Sequence, residues 1–159
     1  MISNAYANKI LDHLCGNSVY LSQPDKLFLG LCSTEPDRST GSVQNAGEPT
    51  SQYYDRLEVG GLNAKSCFSK AKDGKISNPD EIKFKTAREP FGTMKYFFLS
   101  QSVDGPAIMW GDINGGDGVV IGDLEHPESF VHTVPTFYER ELVISLDVPL
   151  SEGTDGPTE

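Results

Sequence analysis

Basic residues are scarce in this chain. Thirteen Lys and Arg stand against 23 Asp and Glu in 159 residues, a formal net charge of −10. Clustered cations are what hold a phosphate backbone, so no nucleic-acid partner is expected. Nor does any apolar run approach the roughly 18 residues of a membrane-spanning helix, and no charged-then-apolar opening marks a secretory signal. Neither a membrane nor an export route is expected, and the chain is expected to be assembled in the cytoplasm where it is made. Cysteine is sparse too: Cys15, Cys32 and Cys67 are too few and too scattered for a disulfide scaffold, and an odd count leaves one thiol unpaired in a monomer. They read as buried thiols, with a bridge between subunits as the alternative.

Catalytic patterns are missing as well. There is no Gly-x-Ser-x-Gly elbow, no phosphate-cradling glycine loop ahead of a helix and no His-Glu-x-x-His. His13, His126 and His132 lie at no metal-ligand spacing from one another and read as rim residues. Carboxylate neighbours such as Asp80 with Glu81, or Glu139 with Glu141, arise by chance among so many acids and do not argue for a glycosidase. The expectation is a protein that is not an enzyme and carries no cofactor.

What remains is patterning. Ser3 is a good N-cap, and Ala5, Ile10, Leu11 and Leu14 follow at helical spacing before Cys15-Gly16, with Ile2 placed as a staple. The short helix over 1–16 reads as a lid on one end of the molecule, or as an element that docks into a neighbour. From Leu27 the period becomes two, with Leu27, Leu29 and Leu31 on one side. Thr34 to Gln52 is poor in large apolar residues and reads as a long exposed loop. Tyr54, Arg56 and Glu58 then alternate with Asp55, Leu57 and Val59, predicting a strand with one wet face. Cys67-Phe68 suggests a further short strand, and Asp73-Gly74 a hairpin turn.

Further on, Ile82 and Phe84 alternate with Lys83 and Lys85. Met94 to Ser100 is apolar on both faces and should be a central strand, joined through Asp104-Gly105-Pro106 to an antiparallel partner at Ala107–Trp110. Val119 to Ile121, Ser129 to Val134 and Glu141 to Leu146 complete the predicted strands. The fold class is therefore mainly β, an antiparallel β-sandwich or small barrel with a short N-terminal α-helix, the β domain spanning 17–150 and a polar tail 151–159. At 159 residues a single β domain buries roughly 70% of its unfolded surface and needs no staples.

Two constellations invite a ligand. Asp112, Asn114 and Asp117, with Asp123 and Glu125 beyond, supply oxygen ligands for a hard cation but lack the spacing of an EF-hand loop, and a solvated glycine turn is the preferred reading. Trp110, Tyr20, Tyr53, Tyr54 and Tyr138 are candidates for a sugar-binding aromatic platform; against that, Trp110 sits between apolar flanks as a core residue would.

The order of landmarks along the chain resembles a family of small phage virion proteins associated with the tail fibre or tail tip. The landmarks are Ile10-Leu11-Asp12-His13-Leu14-Cys15-Gly16, Leu27-Phe28-Leu29-Gly30-Leu31-Cys32-Ser33-Thr34-Glu35-Pro36, Glu48-Pro49 with Tyr54-x-Arg56, Asn78-Pro79-x-Glu81-Ile82-x-Phe84, Trp110-Gly111-Asp112 and Glu141-Leu142-Val143-Ile144-Ser145-Leu146-Asp147. The resemblance implies a non-enzymatic structural protein of the virion, in the tail, tail fibre or baseplate, assembled in the host cytoplasm. Its partners would be other virion proteins and copies of itself, with a host glycan or receptor as a further option. Candidate partner contacts are Ile2, Tyr6 and Ile10 on the helix and Tyr53, Tyr54 and Arg56 ahead of the second strand. Decoration of the capsid surface and a receptor- or glycan-binding module are the alternatives.

Overall fold

The computed structural model describes residues 1–17 and 21–146. Ser3 starts the first element: its own backbone is extended, its Oγ accepts the Tyr6 N–H at 3.3 Å, and helix α1 follows over Asn4–Leu14. Gly16 takes the left-handed φ of 75° just beyond the Cys15 cap, as a helix stop requires.

The strands are β1 (Leu27–Cys32), β2 (Leu57–Gly60), β3 (Lys75–Ser77), β4 (Ile82–Lys83), β5 (Gly92–Met94), β6 (Tyr96–Ser100), β7 (Ala107–Asp112), β8 (Val119–Ile121), β9 (Thr136–Phe137) and β10 (Val143–Ser145). Four of them form one antiparallel sheet in the order β2-β1-β6-β7, and the rest pair as β3 with β10, β4 with β9 and β5 with β8. The fold is thus mainly β with one short helix. Among the described residues these sheets stay open, so the barrel alternative is corrected. Most of the outlying strands are only two or three residues long, too short to carry a continuous ladder around a closed wall.

The predicted middle strand is in the middle. β6 lies between β1 and β7, with Leu31 opposite Phe97 and Phe98 opposite Trp110, and Phe97, Phe98 and Leu99 are buried. Side chains alternate across the sheet. On one face Leu29, Leu31, Phe97 and Leu99 join Ile82, Phe84, Ile121, Phe137 and Ile144 from the three outlying ladders, which together make the main core. On the other face Cys32, Phe98, Ala107 and Trp110 form a second cluster with Val43 and Ala46. Gly30 is required there, since a Cβ would run into the Phe98 ring.

Several sequence expectations need correction. The Thr34–Gln52 segment is not an open loop: Pro36, Val43 and Ala46 are buried, because it is the cover of the second face. β1 is buried on both sides rather than one for the same reason. The strand expected from Tyr54 starts only at Leu57, and Tyr54 and the Arg56 side chain are enclosed rather than wet. Cys67-Phe68 makes no strand, although the Cys67 N–H donates to the Val59 carbonyl and Phe68 is buried. Over Ser129–Val134 there is only the isolated bridge of Thr133 to Ala87; the strand falls later, at β9, where Phe137 reaches the core while Val131 stays in solvent. Cys32 is the buried thiol; Cys15 and Cys67 are exposed. Tyr20, the end of the last predicted strand at Asp147 and the tail 151–159 lie outside the described residues.

Candidate functional site

Helix α1 is tied down at its start. Trp110 N–H donates to the Met1 carbonyl at 2.9 Å and Ser3 N–H to the Ile108 carbonyl at 3.1 Å, so Met1–Ser3 adds to the outer edge of β7, with Ile2 bridging Met109. The Asn4 and Ala5 N–H groups, which a helix leaves without internal partners, donate to the Arg38 and Ser39 carbonyls. After this first turn the helix buries no residue at all.

Tyr6 packs on the main core and, with Lys9, lines a hollow of about 270 Å³ against Gln101, Pro106 and Ile108. Burial raises the Tyr6 hydroxyl above its ordinary pKa, partly offset by a hydrogen bond with Gln101. At 100° per residue, Ala7, Ile10, Leu11 and Leu14 form one apolar stripe that borders Tyr6. Leu11 is 58% and Leu14 73% exposed, while Ala7 and Ile10 are half-buried at the margin. The apolar stripe is therefore half-covered near its start, while Leu11 and Leu14 at its far end face solvent, as do Ala5 and Lys9.

The second constellation surrounds Arg56, whose side chain is 4% exposed. Nε and Nη2 donate to the two Glu48 oxygens at 2.7 and 2.8 Å, a bidentate pair. Nη1 donates to Ser100 Oγ and to the Ser102 and Gly105 carbonyls, and the guanidinium lies 4.8 Å over the Phe98 ring. Tyr54 completes the node: its hydroxyl donates to Glu48 at 3.0 Å and accepts the Leu31 N–H at 2.9 Å. Burial first, and the Glu48 charge second, raise the Tyr54 hydroxyl well above its ordinary pKa. Arg56 and Tyr54 thus fasten the covering loop, β1 and the β6–β7 turn to one another. Sequence reasoning found these two residues but missed Glu48 as their partner; the signal was that an Arg alternating with core residues needs a carboxylate.

A cleft of about 760 Å³ opens above this node, walled by Thr40, Gln44, Thr50, Asp55, Asp104 and Pro106 among others. The remaining candidates are not gathered into one place. Tyr53 is half-buried with Arg88 6.0 Å over its ring, Trp110 is 1% exposed with its indole N–H donated to Glu35 at 3.2 Å, and Tyr138 is exposed. Asp112, Asn114 and Asp117 belong to a glycine turn closed by its own bonds, Asn114 Nδ2 to the Gly118 carbonyl among them. Beyond it, exposed Asp123, Glu125 and His126 bring ligand atoms within 4.8 Å of one another. His126 and the Glu125 N–H already hold the Asp123 carboxylate, and the His126 bond is the main reason its pKa is lowered.

Asn78, a landmark in the sequence, is a structural pin. It is wholly buried; its amide donates to the Asp80 and Tyr138 carbonyls and its oxygen accepts the Leu142 N–H. Residues 1–126 match a protein family described as podophage GP4 fiber I protein gp80. No curated protein matches the chain.

Proposed function

This chain belongs to that podophage fiber family, and we propose that it is a non-enzymatic structural part of the phage tail fibre that attaches to another virion protein through the outward stripe of helix α1. Membership supports a structural role in the fibre and a place in the virion. The attachment reading rests on one observation, the helix that turns Leu11 and Leu14 to solvent. An isolated helix of 11 residues is marginal in water, so one that buries none of its residues gains most from a docked neighbour. Ile10 then lies at the edge of the contact, while Ile2 and Tyr6 hold the helix to its own domain.

The absence of an enzymatic role is read from chemistry: the best-formed polar constellation, Glu48–Tyr54–Arg56, spends its bonds on joining segments of the chain. Nothing in the geometry favours the head surface over the tail.

The test substitutes Leu11→Glu and Leu14→Glu together in the phage. Removing the first 16 residues would also strip Met1–Ser3 from β7, so point changes on the stripe are cleaner. The purified variant is expected to melt with the wild type, because neither side chain is buried, yet to be missing from particles quantified by mass spectrometry. Normal copy number in tails would sink the attachment reading.

A further inference from the structure

We propose that the acidic C-terminal segment 147–159 docks, within its own chain, on the lysine turn at 70–75. The inference stands apart from the attachment reading, since helix α1 plays no part in it.

Charge is unevenly spread along the sequence. Residues 65–95 hold eight of the 13 Lys and Arg but four of the 23 acids, in a chain whose net charge is −10. Lys83 and Lys85 pair with Glu81 and Asp55, and Arg88 lies over the Tyr53 ring. Lys70, Lys72 and Lys75 are exposed, and no described carboxylate pairs with them. They share one turn. Lys72 and Lys75 exchange backbone bonds of 2.9 Å in both directions across Asp73-Gly74, and side chains opposed in this way stand on the same face. Asp73 is the one acid among residues 70–75, so the turn keeps a cationic excess.

The occupant follows from where the chain leads. β10 runs antiparallel to β3 with Ser145 opposite Lys75, and the ladder continues for one more bond, Leu146 N–H to the Gly74 carbonyl at 2.9 Å. The chain therefore enters 147–159 against the tip of the lysine turn. That segment carries Asp147, Glu152, Asp155 and Glu159 and no Lys or Arg. Alternation along a strand assigns residue 147 to the face of Ser145, which is also the face of Lys75. Glu152 follows five residues later, within about 18 Å of extended chain, a reach that takes in Lys72 and Lys70.

A single exposed ion pair is weak. Tethering makes the encounter intramolecular, and three lysines facing four carboxylates then hold the segment without a large interface. Nucleic acid is the poorer occupant, because the rest of the chain is acidic and repels phosphate. An acidic surface on a second copy must give up translational freedom that a tethered segment never had.

The experiment is NMR of the full-length chain, reading amide shifts and relaxation across 147–159. At low salt these amides are expected to be shifted and to tumble with the domain, and about 1 M NaCl should release them, since the screening length falls to about 3 Å. Lys72→Glu with Lys75→Glu should release them without salt. Both side chains are exposed, so the amides of β1 and β6 should stay in place. Adding Asp147→Lys and Glu152→Lys to that variant should restore the contact. Carbodiimide coupling in a mixture of isotope-labelled and unlabelled chains then shows whose segment is bound, with Lys72 and Lys75 expected to couple to carboxylates of their own chain. Coupling between labelled and unlabelled chains would overturn the assignment to a single chain. Amides of 147–159 that ignore salt in the wild type, or a charge reversal that fails to restore the contact, would overturn the docking itself.

Discussion

Phe97 and Phe98 are adjacent on β6, both wholly buried, and they enter two different interiors. Phe97 points into an apolar core drawn from every ladder of the fold, where Phe84, Phe137, Ile121 and Ile144 close over the sheet. Phe98 points the other way, beneath Arg56 and beside Val43 and Ala46 of a segment with little apolar material. One face is closed by non-directional burial, in which many contacts share the load. The other is closed by directed bonds, Glu48 to Arg56 and Glu35 to the Trp110 indole, while Tyr54 reaches Glu48 from a ring packed in the main core. A loop short of hydrophobes is held by a few polar pins, and each pin has no substitute if it fails.

Truncating the two rings in turn probes this difference where the effect is greatest. Phe97→Ala should cost about 4 kcal/mol in urea unfolding, within the range for a buried Phe in a core that cannot collapse. Phe98→Ala should cost less, about 3 kcal/mol, since the loop above it has room to settle into the space. Equal costs, or the reverse order, would mean the loop face is as rigidly packed as the other.

Removing a pin comes next. Arg56→Ala leaves the Glu48 carboxylate with the Tyr54 hydroxyl but no cation, and takes the guanidinium from the Ser102 and Gly105 carbonyls. It is expected to cost about 3 kcal/mol, the lower end for a broken buried pair because Glu48 remains partly wet. Replacing both partners, Glu48→Leu with Arg56→Met, should recover most of that loss, since the penalty belongs to the stranded charge rather than to the pair. A double variant as unstable as the single one would show that the carbonyls of the β6–β7 turn, not Glu48, are what Arg56 chiefly serves.

These two interiors were unequally legible in the sequence. The apolar face could be read, because alternation at Leu29, Leu31, Ile82 and Phe84 and the double-sided run at Phe97–Leu99 are local patterns. So could the helix start at Ser3 and the Asp73-Gly74 turn, where both residues take positive φ, 53° and 71°. The polar face could not. Its Glu48–Arg56 and Glu35–Trp110 pairs are separated by 8 and 75 residues, and no periodicity links them. The landmarks Tyr54, Arg56, Asn78 and Trp110 nevertheless turn out to be hydrogen-bonded pins, each fastening distant segments. The helix stands between the two: an amphipathic pattern states that a face wants cover without stating whose, and here Leu11 and Leu14 at the end of that face lie in solvent.

The smallest expected effect concerns Cys32, the thiol caught under the loop. Burial foremost, then the Glu48 charge, push its pKa up to about 12, with Arg56 opposing. Near pH 8 a thiol reagent should therefore label exposed Cys15 and Cys67 quickly and Cys32 slowly. The sign for stability follows. Below pH 9.0, its ordinary value, the thiol is protonated folded or unfolded and stability is level; between 9.0 and about 12 only the unfolded thiol ionises, so stability falls as pH rises through that window. The labelling rate then separates the two faces. If the pinned loop opens on its own, Cys32 reacts through a local event whose rate depends on urea more weakly than global unfolding does, and Arg56→Ala accelerates it beyond its effect on global stability. If Cys32 reacts only as the whole chain unfolds, with the full urea dependence, the polar pins hold as cooperatively as the apolar core and the contrast between Phe97 and Phe98 is one of chemistry without a difference in dynamics.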